Sequence, residues 1–153
     1  MAVKKSVARQ SLENRILDAV TLVAEGVTSD MKERLLSGDH VDTGALLNSI
    51  RYEVVQEDGA ITAYIYADAT SPGNGELYWR FLEHGTGEHN TSGNGRQGGW
   101  FYYYTGNKHN HGLRFTRGMH ADPFVSPAME KYIPELEQAI RTIAEDISKG
   151  ANK

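Results

Sequence analysis

The feature that most constrains the fold of this chain is a long helical stripe of apolar residues near its start. From Ser11 to Leu36 the apolar side chains recur at steps of three and four residues, as Leu12, Ile16, Val20, Val23, Val27, Met31 and Leu35. The spacing predicts an amphipathic helix of roughly 35–40 Å, which Ser37-Gly38 would end. Because an isolated helix gains little from propensity alone, this stripe must pack on a sheet or on another helix.

The length and composition of the chain fit one soluble domain. The 153 residues, of which 39% are hydrophobic and 24% charged, suffice for a single domain spanning 1–153. The chain has no cysteine, so the fold depends on packing and not on disulfides or thiolate metal sites. The first twenty residues mix charge into their apolar positions, and no apolar run reaches the length of a membrane span. We therefore expect the protein to remain in the cytoplasm where it is made.

Two β-hairpins are predicted. The first joins Arg51–Gln56 to Ala60–Ala67 across Glu57-Asp58-Gly59, because Asp-Gly is typical of a tight turn. Its second strand alternates apolar with polar or tyrosine side chains, so one face should be covered and the other wet or in contact with a partner. The second hairpin joins Trp100–Tyr104 to Leu113–Thr116, with Thr105–Gly112 between them.

The helix ends and one short segment are also predicted from local signals. Asp42 and Thr43 stand where an N-cap would precede a short helical turn. The aromatic segment Glu76–Glu83 is interpreted as a strand running into a turn, although eight residues give too little periodicity to decide. Ser126-Pro127 is typical of a cap followed by proline at the first helical position.

A closing helix follows Ser126-Pro127. Its apolar residues repeat at helical spacing as Met129, Ile133, Leu136, Ile140, Ile143 and Ile147. Pro134 lies two turns into this helix, so it should kink the helix or restart it near Glu135.

The middle of the chain has an unusual composition and charge. Residues 84–99 are rich in glycine and have no apolar side chain, so they are expected to be mobile in the isolated subunit. The net charge is −4 overall, but 84–120 sums to +3 while 37–83 sums to −6. We interpret 84–120 as a flexible inserted arm. Its candidate interface residues are Arg96, Trp100, Phe101, Tyr102, Tyr103, Tyr104, Lys108, Arg114 and Arg117.

Three short patterns occur in a fixed order along the chain. They are Val41-Asp42-Thr43-Gly44-Ala45-Leu46 with Asn48-Ser49-Ile50, then Tyr78-Trp79-Arg80-Phe81-Leu82-Glu83-His84-Gly85-Thr86, then Ala121-Asp122-Pro123-Phe124-Val125-Ser126-Pro127-Ala128-Met129. The ordered set resembles the small head-to-tail joining, or tail-completion, proteins of long-tailed bacteriophages. The chain departs from many members in the long insert between Thr86 and Ala121. The motif residues that carry the resemblance are Val41, Asp42, Thr43, Gly44, Glu83, Gly85, Thr86, Pro123, Phe124 and Pro127.

The resemblance implies an α+β fold, a mostly antiparallel twisted sheet packed by the long first helix and by a C-terminal helix. It implies a structural virion protein without catalysis or a cofactor, which forms a homo-oligomeric ring in the neck or tail with other phage neck and tail proteins. Genomic DNA would pass through the ring without sequence-specific binding, and an acidic lining would let it slide. The acidic 37–83 segment is a candidate for that lining, or else an ordinary solvated face.

The same residues are compatible with two other functions. The aromatic and basic arm could serve as a stacking platform for single-stranded nucleic acid, or it could pack on a neighbouring subunit. The histidines His84, His89, His109, His111 and His120 could bind a transition metal, although a solvated loop also explains them.

Catalytic interpretations have less support. Glu83 and His84 could be a catalytic pair, but adjacent residues in an extended segment point to opposite faces. Gly85-Thr86-Gly87 is not followed by a Lys-Ser or Lys-Thr pair or by a predicted helix, so a phosphate loop is excluded.

Overall fold

The computed structural model describes residues 2–38, 44–71, 75–104 and 112–151. Within these ranges the elements are α1 (Ala2–Ser37), α2 (Ala45–Ser49), β1 (Ile50–Glu57), β2 (Ala60–Ala67), α3 (Trp79–His84), a 3₁₀ turn (Gly87–His89), β3 (Trp100–Tyr104), β4 (Gly112–Thr116) and α4 (Val125–Ala151). The fold is α+β, as the sequence predicted. None of the helices, over the described residues, is both long enough and apolar enough to cross a membrane.

The chain forms two compact units where the sequence suggested one domain with an inserted arm. The first unit combines Met1–Ala67 with Val125–Lys153, and the second is Asp68–Phe124. The second unit therefore contains the whole arm predicted at 84–120, together with the segment that precedes it.

In the first unit, α1 packs against both the β1–β2 hairpin and α4. The predicted stripe is the buried side of α1, where Val20, Val27, Met31 and Leu35 are all less than a tenth exposed. The strands pair in antiparallel register from Ile50 opposite Ala67 to Glu57 opposite Ala60. Their turn consists of Asp58 and Gly59, both at positive φ (51° and 79°), which is the geometry that a two-residue hairpin favours. The predicted first helix and first hairpin are thus confirmed.

Helix α4 runs alongside α1 in the opposite direction. Arg15 pairs with Asp146 (2.6 Å), and Asp30 near the other end of α1 pairs with Lys131 (2.7 Å). Ala128 and Ile143 on α4 are buried. The ion pairs fix the register of the two helices along their length.

The predicted helix ends differ in how far the structure describes them. Gly44, with φ 73°, occupies the N-cap position of α2, whereas the predicted capping residues Asp42 and Thr43, together with Val41, lie outside the described residues. Because α4 begins at Val125, Ser126 and Pro127 lie inside its first turn and Ser126 is not the cap. A proline is tolerated there because the first N–H groups of a helix have no intrahelical acceptor.

One other local prediction was wrong. The segment Glu76–Glu83 is not a strand, because only Leu77 makes a bridge, with Thr70, and α3 begins at Trp79. Of the two outcomes expected at Pro134, a restart near Glu135 does not occur, since α4 continues through Pro134 to Ala151, and a kink stays a prediction. The packing of α4 on α1 holds the helix despite the hydrogen bond that proline lacks.

The second unit contains the second predicted hairpin. Strands β3 and β4 pair antiparallel, from Trp100 opposite Thr116 to Tyr104 opposite Gly112. The predicted hairpin is confirmed, while its tip, with Lys108, His109 and His111, lies outside the described residues.

Candidate subunit interface

The base of the second unit is formed where two of the sequence motifs meet. The amide of Thr86 donates to the carbonyl of Met119 (2.8 Å), and the amide of Met119 donates to Thr86 Oγ1 (2.9 Å). Further along, Asp122 N donates to the carbonyl of Leu82 (2.8 Å). The motif ending in Gly85-Thr86 and the motif around Pro123-Phe124 are therefore neighbours within the second unit.

Glu83 has a structural task at this junction. Its side chain is 5% exposed, and Oε2 accepts a hydrogen bond from the amide of Phe124 at 3.0 Å. Phe124 is itself buried and is the last residue before α4. A buried carboxylate requires such donors. The imidazole of His84 lies near the Trp79 ring, with centroids 6.4 Å apart.

Gly85 shows why this segment is rich in glycine. It has φ 71°, and a Cβ there would lie 2.7 Å from the carbonyl oxygens of both His89 and Met119. Only glycine combines this backbone conformation with such close approach. Part of the 84–99 segment thus has a defined backbone with hydrogen bonds to 117–119, in contrast to the sequence expectation of an unstructured stretch. Whether it moves in the free subunit stays a prediction.

The β3–β4 hairpin has two faces of different character. Phe101, Tyr103, Leu113 and Phe115 share one face, because Phe101 pairs with Phe115 and Tyr103 with Leu113. We call these four residues the apolar face. Their exposed fractions are 66%, 62%, 70% and 52%, and the Phe101 and Phe115 rings meet edge to face with centroids 5.2 Å apart. Four large apolar side chains are thus presented together to solvent.

The opposite face, with Trp100, Tyr102 and Tyr104, has its own cations. The Arg114 guanidinium lies 4.2 Å from the centroid of the Tyr104 ring, and that of Arg96 lies 5.6 Å from the Trp100 ring. Trp100 and Tyr104 are half-buried. The arginines therefore lie over Trp100 and Tyr104, whereas Tyr102 is 39% exposed and has neither of them over its ring.

A shallow cavity of about 300 Å³ lies beside this second face. It is lined by Thr86, Trp100, Tyr102, Thr116, Gly118 and Met119. Among the residues that the structure describes, the lining side chains supply aromatic, apolar and hydroxyl groups.

The described histidines do not form a metal centre. His89 and His120 stack with ring centroids 3.7 Å apart, and stacked rings do not converge on one ion. Among the described residues there is no group of three or more His, Cys, Asp or Glu side chains placed to hold a metal. His109 and His111 lie outside those residues.

The structure divides the candidate interface residues predicted from sequence. Phe101 and Tyr103 lie on the exposed apolar face, whereas Trp100, Tyr102, Tyr104 and Arg114 belong to the other. Arg117 is exposed beside the base of the hairpin, where its carbonyl accepts a hydrogen bond from Glu88 N at 2.9 Å. Leu113 and Phe115 were missing from the predicted set. The period-two alternation of each strand, combined with the strand register, would have identified them.

Comparison with known proteins gave no relatives for this chain. No family model, no curated protein and no solved structure matches it.

Proposed function

We propose that this chain is a structural protein of a tailed bacteriophage virion, a ring-forming subunit that completes the tail or joins it to the head. The observation that carries the proposal is the apolar face of the β3–β4 hairpin. A two-stranded hairpin is marginally stable alone, and a contiguous exposed apolar patch marks an interaction site. The resemblance of the three motifs to tail-completion proteins supplies the kind of assembly.

The area of the apolar face limits the free energy that it can contribute to association between subunits. Covering its four side chains would bury roughly 400–500 Å² per subunit, worth about 10 kcal/mol of gross hydrophobic free energy. Association costs about 4–15 kcal/mol. The face alone therefore gives modest affinity between two subunits, and closure of a ring, in which every subunit has two neighbours, stabilises the assembly further.

The proposed receiving surface is the outward face of β1–β2 on the next subunit. That face presents Tyr64, which is 49% exposed and stacks on Tyr66 with centroids 6.4 Å apart. Exposed carboxylates of Glu53, Glu57 and Asp58 accompany it. Arg96 and Arg114 lie on the other face of the hairpin, so these carboxylates would attract the positively charged arm as a whole and would not pair with the apolar face itself. A contact between two different surfaces is heterologous, which is the type that closes into rings.

In the proposed ring, DNA passes through the lumen without being bound. The acidic surfaces of 37–83 would repel the phosphate backbone and let it slide. A nucleic-acid-binding module would instead show affinity that falls steeply as salt rises. We expect no measurable binding of single- or double-stranded DNA to the full chain at low ionic strength, and salt-dependent binding would favour the nucleic-acid module over the virion protein.

The ring proposal is tested by the double substitution Phe101→Glu with Leu113→Glu. Both side chains are more than three-fifths exposed, so the subunit should fold, while two buried charges should prevent hairpin docking. We expect loss of rings by light scattering and electron microscopy, together with loss of infectious particles in phage assembled from the variant.

The matched control is Leu22→Glu, since Leu22 on α1 is 70% exposed and lies outside the apolar face. It should leave rings and infectivity unchanged. Rings and infectious particles that form normally with the double variant would refute the role of the apolar face.

A further inference from the structure

Helix α4 has a line of isoleucines that its packing on α1 leaves uncovered. Ile133, Ile140 and Ile147 are spaced seven residues apart and are 43%, 37% and 46% exposed. Residues seven apart lie close to one line on a helix. Single exposed apolar residues are ordinary on protein surfaces, but three on one line form a stripe of about 21 Å along the helix axis.

The neighbouring side of α4 is occupied by α1. Ile143, which is 7% exposed, lies about 60° around the helix from Ile140, and Tyr132 on the same side fits against Gly26 of α1. The Asp30–Lys131 and Arg15–Asp146 ion pairs hold the two helices in this orientation. Helix α4 cannot rotate its isoleucines inward without breaking those contacts.

Charged residues border the isoleucine line on the side away from α1. Glu137 and Arg141 lie about 60° and 100° around the helix from Ile140, in the direction opposite to Ile143. Both are exposed, and neither forms an ion pair within the described parts of the chain. The uncovered stripe thus has an acidic and a basic group on one border, separated by one helical turn.

We propose that this stripe is a self-association surface on which α4 of a second copy packs antiparallel, with the two-fold axis at Ile140. Ile133 then meets the partner subunit's Ile147, and Ile140 meets its own counterpart. In an antiparallel pair the same borders of the two helices adjoin. Glu137 therefore faces the partner subunit's Arg141, and the two residues are offset by about 3 Å along the helix axis. The two-fold axis creates the same pair between Arg141 and the partner subunit's Glu137.

The charge arrangement selects this orientation over a parallel pair. In a parallel pair the charged border of one helix would face the α1-covered border of the other. Glu137 and Arg141 would then have no charged partners across the contact. The antiparallel contact is isologous, because both copies use the same surface. It is therefore distinct from the heterologous hairpin contact proposed above, and it does not rest on the ring.

The contact is small, so association should be weak and concentration-dependent. A single helix face of about 21 Å provides less than the roughly 800 Å² per partner of a standard interface. Sedimentation velocity of the Phe101→Glu, Leu113→Glu variant, in which the hairpin contact of the ring is disrupted, should show the full chain passing from monomer to dimer over about a hundredfold range of concentration. A species that stays monomeric over that range would overturn the proposal.

Charge reversal tests the border. Glu137→Arg places arginine against arginine in both symmetric positions, and we expect the dissociation constant to rise roughly 5- to 20-fold. The double variant Glu137→Arg with Arg141→Glu should restore the original affinity. Glu135→Arg is the matched control, since Glu135 is exposed on another side of α4. Equal weakening by Glu135→Arg, or no restoration in the double variant, would contradict the antiparallel pairing.

The orientation is tested by disulfide trapping, which the absence of native cysteine makes clean. Helix axes that pack 8–10 Å apart bring facing Cα atoms within disulfide range. Ile140→Cys should oxidise to a covalent dimer, and Ile133→Cys should do so only when mixed with Ile147→Cys. Thr142→Cys, on the opposite side of α4, should remain monomeric. A homodimer formed by Ile133→Cys alone would indicate a parallel pair and refute the model.

Discussion

Gly26 is a residue whose identity is explained by its neighbour and not by its own helix. Glycine inside a helix costs about 1 kcal/mol relative to alanine, yet Gly26 lies in the middle of α1. A Cβ at this position would lie 2.8 Å from Cδ1 and 2.9 Å from Cζ of the Tyr132 ring. The absence of a side chain lets α4 approach α1 at this point, with Tyr132 filling the space.

Gly26→Ala should therefore destabilise the protein despite its better helix propensity. We expect the free energy of unfolding to fall by about 1–3 kcal/mol, since an overpacked contact costs more than alanine gains. Urea denaturation followed by far-ultraviolet circular dichroism measures the change. In the Tyr132→Leu background the same substitution should be neutral or stabilising, because the ring is gone. An equal loss in both backgrounds would show that Tyr132 is not the cause.

Asp30 makes a polar contact between the same two helices, α1 and α4. Its carboxylate is 8% exposed and accepts hydrogen bonds from Lys131 Nζ (2.7 Å) and Arg34 Nε (2.5 Å). Burial by itself raises the pKa of the Asp30 carboxyl, but the hydrogen bonds and charges of Lys131 and Arg34 outweigh it and leave that pKa below its usual value. The hydrogen bond to Asp30 likewise raises the pKa of Lys131.

This lowered pKa makes the contribution of Asp30 depend on pH. A carboxyl whose pKa is lower in the folded than in the unfolded state stabilises above the unfolded value of about 3.9, and the gain disappears as pH falls through the folded value. Asp30→Asn should lower the free energy of unfolding by about 1–2 kcal/mol at pH 7, because Lys131 and Arg34 remain partly solvated.

The difference in the free energy of unfolding between Asp30→Asn and the native protein should become smaller below pH 4. Urea titrations at pH 7, 5 and 3 measure it. Glu33→Gln is the control on the same helix, because Glu33 is exposed, and it should cost little at any pH. A gap for Asp30→Asn that is constant with pH would show that the ionised carboxylate contributes nothing specific.

At the scale of elements, the sequence predicted those whose signals are local and repeated. The stripe of α1 and the Asp58-Gly59 turn depend on periodicity and on backbone preference within a few residues. Both hairpins and both long helices follow from such signals. The predicted stripe on α4 needs one qualification, because α1 buries Ile143 and leaves Ile133, Ile140 and Ile147 exposed.

The elements that were missed depend on distant residues. Helix α3 is too short for its sequence to show a helical periodicity. Its end is stabilised by distant residues, because Phe124 N donates to the Glu83 carboxylate and Asp122 N donates to the Leu82 carbonyl. The start of α4 lies two residues before the position that Ser126-Pro127 predicted, since α4 begins at Val125. Helix propensity and caps are weak priors that tertiary contacts override.

The candidate interface was predicted in location but not in its division into faces. Aromatic composition identified the β3 strand, but only the pairing with β4 shows that Phe101 and Tyr103 share an exposed face with Leu113 and Phe115. Trp100 and Tyr104 instead lie with Arg96 and Arg114. A one-residue difference in register would change which side chains of β4 share a face with Phe101 and Tyr103.

At the scale of the whole molecule, the two compact units carry different spectroscopic signals. Both tryptophans of the chain, Trp79 and Trp100, lie in Asp68–Phe124. The long helices α1 and α4 lie in the other unit and dominate the helical circular dichroism. Tryptophan fluorescence and circular dichroism at 222 nm therefore report the unfolding of different units.

We expect the units to respond separately to substitutions placed inside each of them. Asp30→Asn should lower the urea midpoint followed by circular dichroism and leave the fluorescence midpoint in place. Gly118→Ala should lower the fluorescence midpoint and leave the circular-dichroism midpoint in place. Gly118 has φ 113°, and a Cβ there would collide with the backbone of Thr86. Coincident shifts of both midpoints for both variants would instead show a single cooperative transition. In that case a charge placed on the apolar face of the hairpin would also lower the stability of α1 and α4. The ring and dimer tests would then need variants of equal subunit stability.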